Sequence, residues 1–412
     1  MKNNPFWIHR GGALAVALTL LFILMGRNLK AQHGQTKSVD LKTKKTTAQH
    51  IPKLQKDSLT SSQICGKCHQ SIYNTWKESM HAKSLEDPVF NGAYAEVYKN
   101  TAGAAKYNCL KCHAPAVLIN NDYDLKQEIT KEGVTCDFCH SVKDVNLTNK
   151  ENPFEIKLGL TKWGPLKDAR SPAHETQYAF LFNTSYFCAG CHEHKNEHGL
   201  AILSTFSEWT ESPYAADGKQ CHYCHIPQRK GTLAFEDPQL IKGKKQEALL
   251  CCVGVNTLDM LKEAVRVNIK DIVRKPEEMT MVVEIENHGA GHKIPTGMPN
   301  RKLALLVEVK TGNNQAFSSS RVYEKIVIDK DRNILSEESD ILIKGSKIIK
   351  DNRIAPKEVR REEFLFPISL KEEVSTNANI FYLYEPCVIK KEEIRVQLAG
   401  DEKNLLAESS TK

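Results

Sequence analysis

Residues 65–84 read CGKCHQSIYNTWKESMHAKS, and the run opens with two cysteines, two residues apart, followed at once by a histidine. The same Cys-x-x-Cys-His pattern returns four more times before residue 226. Ten of the 13 cysteines in the 412-residue chain form these pairs, which are Cys65/Cys68, Cys109/Cys112, Cys136/Cys139, Cys188/Cys191 and Cys221/Cys224. The histidines that follow them are His69, His113, His140, His192 and His225. Chance does not explain this, because only 15 residues of the chain are histidines.

This spacing is typical of covalent haem attachment. Two such thiols can bond to the two vinyl groups of one haem, and the next residue then presents its imidazole to the iron. Zinc sites need four ligands, and five cysteine pairs do not divide evenly into closed four-thiolate sites. A redox dithiol needs no histidine after its second cysteine and usually occurs once. The motifs therefore predict five covalently bound haem c groups, held by the ten cysteines, with the five histidines as iron ligands.

Residues 1–31 have the order of an export signal. Lys2 and Arg10 precede a 16-residue apolar run at 11–26, and the expected cleavage site follows Ala31, with Leu29 at the minus-three position. The run is short for a membrane-spanning helix, which needs about 20 residues. Basic residues just after the run are untypical of a cleaved signal, so a retained membrane anchor is the alternative. Both interpretations place the rest of the chain outside the cytoplasm, in the periplasm or anchored and facing the periplasm or the exterior.

The formal net charge of +7 does not indicate a nucleic-acid partner. Residues 1–31 contain four basic and no acidic residues, so their removal leaves +3. Each haem adds two propionates, and ferric iron returns one positive charge. Five haems would therefore bring the charge to about −2 when oxidised and about −7 when reduced.

The patterning predicts an α+β fold, with a mainly helical and loop multihaem domain packed on its haems, followed by a C-terminal immunoglobulin-like β-sandwich. Helical spacing is expected at 71–83, 86–99, 174–183 and 247–268. Alternating strands are expected at 279–287, 302–310, 322–329, 362–368, 377–384 and 393–400. The expected segments are a signal or anchor at 1–31, a flexible linker at 32–60, the pentahaem domain at 61–232, a linker and helix at 233–269, and the β-sandwich at 270–400.

Beyond the motifs themselves, longer runs resemble the multihaem cytochromes c of the cytochrome c-554-like family, in a form with an additional C-terminal β-domain. In the haem region these runs are 65–84, NCLKCHAPAV (108–117), GVTCDFCHSV (133–142), WGPLKDARSPAHETQYAFLFNTSYFCAGCHE (163–193) and FSEWTESPYAADGKQCHYCHIP (206–227). In the C-terminal region they are NHGAGHKIPTGMPNR (287–301) and DNRIAPKEVRREEFLF (351–366). The resemblance covers most of 61–400. Its motifs are specific to multihaem cytochromes, though not to one substrate.

The resemblance implies which histidines supply the second, distal ligand of each iron. His81 and His174 stand where the family has distal ligands. His292 begins a His-x-x-Pro-Thr-Gly run, through which the β-domain would reach a haem and tie the two domains together. His194 and His198 follow the fourth motif, where a short loop can bring either one to a neighbouring haem.

One departure from the family concerns a further distal ligand. Relatives often carry a histidine at the start of the helix in the 250s, whereas this chain reads LLCCVGVN at 249–256. One haem is therefore expected to be five-coordinate, or to be bound by a thiolate from Cys251 or Cys252. The equally weighted alternative is that His194 or His198 supplies the ligand.

Electron transfer is the function that these features favour. The donor would be quinol-linked or periplasmic, and the acceptor would be a terminal reductase or a surface acceptor. The alternative is a haem-based reductase or oxidoreductase of a small nitrogen or sulfur compound, acting at one open-coordinate haem. No catalytic residue stands out beyond the haem ligands. The Cys-x-x-Cys-Lys motif typical of pentahaem nitrite reductases does not occur.

Overall fold

The computed structural model describes residues 51–226, 234, 258–384 and 394–407. The signal or anchor expected at 1–31, most of the linker expected at 32–60, and Cys251 and Cys252 lie outside these stretches. No helix within them is long and apolar enough to cross a membrane.

Helices and short strands alternate up to residue 225, and longer strands follow. The helices are α1 Ser62–Gly66, α2 Gln70–Lys77, α3 Pro88–Asn100, α4 Lys106–His113, α5 Val117–Asn120, α6 Glu128–Lys131, α7 Cys136–Ser141, α8 Tyr186–His192, α9 Thr205–Thr210, α10 Pro213–Ala216, α11 Cys221–His225, α12 Leu258–Ala264 and α13 Glu338–Lys344. The early strands are β1 Val142–Val145, β2 Phe154–Ile156, β3 Thr161–Gly164, β4 Glu175–Tyr178, β5 Glu193–Lys195 and β6 Ala201–Ser204. The later strands are β7 Val265–Lys275, β8 Glu278–Asn287, β9 Arg301–Thr311, β10 Ala316–Tyr323, β11 Lys325–Ile328, β12 Ile334–Leu335, β13 Lys347–Asp351, β14 Val359–Phe366, β15 Val374–Tyr384 and β16 Ile394–Leu405.

The C-terminal strands build two antiparallel sheets around one core. The first has the order β10-β9-β15-β16 and the second β14-β8-β7. Buried and half-buried positions alternate along β8 and β15, as expected for strands with one face on a core. Fully buried residues of both sheets, such as Ile285 and Leu305, belong to the same apolar cluster. The α+β class is confirmed, while the immunoglobulin-like form of the sandwich stays a prediction.

A small third sheet joins the β-sheets to the haem region. Its order is β12-β11-β13, and it packs with α13 around the buried side chains of Val327 and Ile341. Ile202 of β6 lies in the same cluster. Ser339 in α13 also donates a hydrogen bond to Glu96 in α3, at 2.6 Å.

The prediction of a helix over 174–183 was wrong. Residues Glu175–Tyr178 form β4, which pairs in parallel with β3, and a short 3-10 turn follows at Phe180–Asn183. Pairing with a neighbouring strand outweighs the weak helical spacing of this segment, because short sequences take the structure that their tertiary contacts favour. A helix was expected over 247–268. Within the described residues it ends at Ala264, because β7 begins at Val265.

Candidate haem centres

Each motif lies on a helical turn, which places its three functional side chains together. Helices α4, α7, α8 and α11 each contain both cysteines and the histidine of one motif. In the first motif, the His69 N–H donates to the carbonyl of Cys65, at 2.9 Å, so this turn is helical too. Residues at positions i, i+3 and i+4 share one face of a helix. Both thiols and the imidazole therefore project to the same side, as one attached haem requires.

Two buried serines fasten motif helices to one another. The Ser62 hydroxyl in α1 accepts from the Cys136 N–H of α7, at 3.3 Å. The Ser185 hydroxyl, just before α8, accepts from the Cys221 N–H of α11, at 2.9 Å. Each of these serines stands three residues before the first cysteine of its own motif, Cys65 or Cys188. The first motif is thus joined to the third and the fourth to the fifth, a pairing that the sequence prediction missed.

Thiol contacts extend this pairing to all five motifs. The side chains of Cys65 and Cys136 lie close enough together for each thiol to shift the pKa of the other. The same holds for Cys188 and Cys221, and for Cys112 and Cys191. Cys139 interacts electrostatically with Cys188 and Cys191, which brings the third motif near the fourth. The motifs therefore form one continuous cluster, in which the fourth contacts the second, third and fifth.

Three histidine pairs face each other across this cluster. The ring centres of His69 and His174 are 6.2 Å apart, those of His81 and His192 are 6.4 Å apart, and those of His225 and His292 are 6.4 Å apart. A bond from an imidazole nitrogen to a metal is about 2 Å long, and the nitrogen lies about 1 Å from the ring centre, so two trans ligands of one metal have ring centres about 6 Å apart. Each pair joins one motif histidine to one of the three histidines that the resemblance implied as distal ligands.

Hydrogen bonds orient several of these rings. The Nδ1 atom of His174 lies 3.0 Å from the carbonyl oxygen of Glu175, and that of His292 lies 3.0 Å from the carbonyl oxygen of Lys293. Among the motif histidines, the Nδ1 atom of His140 lies 2.6 Å from the carbonyl oxygen of Trp163. A carbonyl at Nδ1 fixes the hydrogen there and leaves Nε2 free as a ligand.

The surroundings keep the imidazoles neutral, which a metal ligand must be. Burial, with added repulsion from neighbouring histidines, lowers the pKa of both His192 and His225 to about 4. Burial also lowers the pKa of His81, His140 and His292.

A buried ion pair lies beside the first and third motifs. Asp137, between the cysteines of the third motif, is almost fully buried and pairs with Lys162. Its other carboxylate oxygen accepts from the Thr60 N–H, at 2.6 Å. Lys162 directly precedes Trp163, whose carbonyl faces His140. The pair therefore anchors the strand that orients this motif histidine.

The remaining two motif histidines face phenylalanines. The ring of Phe90 in α3 stacks on His113 with the centres 3.8 Å apart, and Phe182 stacks with His140 at 5.5 Å. Within the described stretches, no second histidine lies opposite His113 or His140 at the distance seen in the three pairs. His198 is exposed in the turn between β5 and β6, and its backbone N–H donates to the Asn196 side chain. His198 and Cys251 both stay predictions as distal ligands.

The donor set suits haem better than zinc. Among residues 51–226, 258–384 and 394–407, no group of three or more His, Cys, Asp and Glu side chains converges as a metal site. Imidazoles instead meet in twos, with free cysteines on the same helix as one partner. A haem iron with two axial histidines uses such a set.

Comparison with known proteins agrees with this geometry. Residues 64–141 match the family described as cytochrome c554 and c-prime. Among solved structures, the chain is similar to a penta-heme cytochrome c552 from Thermochromatium tepidum, with a TM-score of 0.65 and 22% identity over 84% of this chain and 99% of that one. At this identity the likeness shows the fold. No curated protein matches the chain.

The motif cluster and the fold define a multihaem c-type cytochrome, a class that carries electrons on covalently bound haem c. Within that class, residues 64–141 are similar to the cytochrome c554 and c-prime family. The resemblance predicted from the sequence is confirmed.

Proposed function

We propose that the chain is a pentahaem cytochrome that carries electrons in respiration outside the cytoplasm. The observation that carries this proposal is the set of three histidine pairs, each with the ring separation of two axial ligands of one iron. The contact of all five motifs in one cluster supports it further, because electrons hop efficiently only between neighbouring centres.

In this function haem c supplies reversible one-electron chemistry at iron, and the polypeptide supplies the ligands and their setting. The first haem would be held by His69 and His174, the fourth by His192 and His81, and the fifth by His225 and His292. Burial keeps these imidazoles neutral, as ligation requires. Ligation by two histidines gives low reduction potentials, since methionine is the axial ligand that raises them.

The location and partners of the protein are part of the proposal. Covalent haem attachment and the signal-like segment at 1–31 favour the periplasmic side, with that segment either cleaved or kept as an anchor. The electron donor is a quinol-linked or periplasmic protein, and the acceptor is a terminal reductase or a surface acceptor.

A second candidate function is favoured by the second and third motifs. Phe90 and Phe182 are the aromatic neighbours of His113 and His140, and no histidine in the described stretches faces either one as a partner. A haem with one open position at either motif would bind a small nitrogen or sulfur compound and reduce it. The iron would have no open position if it were ligated by Cys251, by Cys252 or by another residue beyond the described stretches.

Spectroscopy of the purified holoprotein tests both functions. We expect a pyridine haemochrome count of five haems per chain and low-spin electron paramagnetic resonance (EPR) signals from at least three of them. His81→Ala, His174→Ala and His292→Ala should each convert one haem in five to the high-spin form. His288→Ala is the matched control, since the His288 ring lies 3.3 Å from the carboxylate of Glu286 in β8, and it should leave the spectrum unchanged.

The outcomes separate the candidates. A high-spin fraction in the unchanged protein that shifts with nitrite or hydroxylamine would favour the reductase. Five low-spin haems whose spectra do not change with nitrite or hydroxylamine would favour the electron carrier. Unchanged spectra in all three histidine variants would contradict the proposed ligation.

A further inference from the structure

The loop that carries His292 is fastened to the haem region by a buried ion pair. Glu208 lies in α9, within the haem region, and Arg353 follows β13 of the small sheet. The Arg353 Nη2 and Glu208 Oε1 atoms are 2.6 Å apart, and the two side chains are only 3% and 5% exposed. Arg353 is also paired with Asp351, through its Nε and Nη2 atoms.

Both members of the ion pair hold the loop directly. Arg353 Nη1 donates to the carbonyl oxygen of Pro295, at 3.0 Å. The Thr296 hydroxyl donates to Glu208 Oε2, at 3.0 Å, and lies 2.8 Å from the hydroxyl of Thr205. These contacts fall three and four residues after His292, so they set the position of the short segment that presents the imidazole.

Further contacts of the loop come from its own β-domain. The backbone groups of Ile294 and Ile354 exchange hydrogen bonds, at 3.0 and 3.1 Å. The Asn287 side chain donates to the carbonyl oxygen of His292, at 2.9 Å. These bonds shape the loop but do not tie it to the motif helices. Glu208 is the charged group that the haem region contributes, and its carboxylate binds both the loop and the arginine behind it.

We propose that Glu208 is a positioning residue, which acts through Arg353 and Thr296 to hold His292 opposite His225. The proposal rests on the proposed function, in which these two histidines ligate the fifth haem. A buried ion pair contributes little net stability but fixes geometry, because both charges need their partners. Ligation of the fifth haem thus depends on the contact between α9 and the β-domain.

The test is the substitution Glu208→Gln in the holoprotein, examined by EPR. The amide keeps the shape of the side chain but loses the charge that holds Arg353. We expect a high-spin ferric signal from one haem in five, which millimolar imidazole returns to the low-spin form. Thr296→Val removes only the hydroxyl contact and should give a smaller high-spin fraction at the same haem.

The matched control is Glu362→Gln. Glu362 also binds an arginine and a hydroxyl, since it lies 3.4 Å from Arg321 and accepts from Tyr323 at 3.1 Å. It belongs to β14 and does not contact the His292 loop, so its variant should keep every haem low-spin. A low-spin Glu208→Gln protein, or a high-spin signal that imidazole fails to reverse, would overturn the proposal.

His292→Ala separates this proposal from the ligand assignment. A high-spin haem in His292→Ala together with an unchanged Glu208→Gln spectrum would refute only the positioning role. An unchanged spectrum in His292→Ala would refute the assignment of the ligand itself.

Discussion

Lys325, at the start of β11, is 4% exposed, and its ammonium donates to the Ser204 hydroxyl at 3.0 Å. Burial, with repulsion from Arg353, lowers the pKa of Lys325 to about 8. The unfolded chain therefore binds the proton more tightly than the folded chain does. The charge is a cost to stability below pH 8, and this cost disappears as the pH rises towards the ordinary lysine value.

We expect Lys325→Met to stabilise the protein by about 1–3 kcal/mol at pH 7, since one pKa unit corresponds to about 1.4 kcal/mol and one hydrogen bond is lost. Thermal unfolding at pH 7 and at pH 10.5 measures the effect, which should shrink at the higher pH. Lys302→Met, at a lysine with a 38% exposed side chain, is the control. A gain that does not depend on pH would contradict the account.

At the level of single residues, the sequence predicted the attachment cysteines and motif histidines, because their spacing is local. It also selected His81, His174 and His292, though only through a family resemblance. It did not predict which motif histidine each one faces. His81 follows the first motif by twelve residues but faces His192 of the fourth, and only the folded chain decides that pairing. The contact between Glu208 and Arg353 carries no local signal, since the two residues lie 145 positions apart in the sequence.

Strand β8 shows how an alternating sequence becomes a stable element. It is central in its sheet, between β14 and β7. Ile285 is fully buried in the shared core, whereas Val282 is half-buried on the opposite face. Period-two alternation in the sequence was therefore a reliable indication of which face meets the core.

We expect Ile285→Ala to destabilise the protein by about 2–5 kcal/mol, the usual cost of an isoleucine truncated within a packed core. Val282→Ala, three residues earlier on the other face, should cost less than half as much. Chemical denaturation of both variants gives the comparison. Equal losses would show that β8 has no preferred inner face.

Elements with weaker patterns were predicted less well. The single strand expected at 322–329 is divided between β10 and β11, which belong to different sheets. Helix α13 was missed because it interrupts a region otherwise rich in strands. Its position follows from packing on α3 and on the small sheet rather than from its own sequence.

The net charge of the mature holoprotein would differ from the net charge of the amino-acid sequence alone. The amino-acid sequence has an isoelectric point near 8.6. Loss of residues 1–31 and binding of five haems would bring the net charge to about −2 in the oxidised form. We expect isoelectric focusing of the mature holoprotein to give a value below 7, and a lower one after reduction. A value near 8.6 would contradict either the cleavage or the haem count.

The proposed histidine ligation also has a consequence for biogenesis. His69 pairs with a residue beyond the third motif, His81 with the fourth motif, and His225 with a loop of the β-domain. If the chain crosses a membrane from its N-terminus, the first motif would emerge long before His174, its proposed second ligand, whereas His81 would already be present when the fourth motif emerges. The first haem would then wait with one side open, and the fifth would gain its second ligand only after the β-domain loop reaches it.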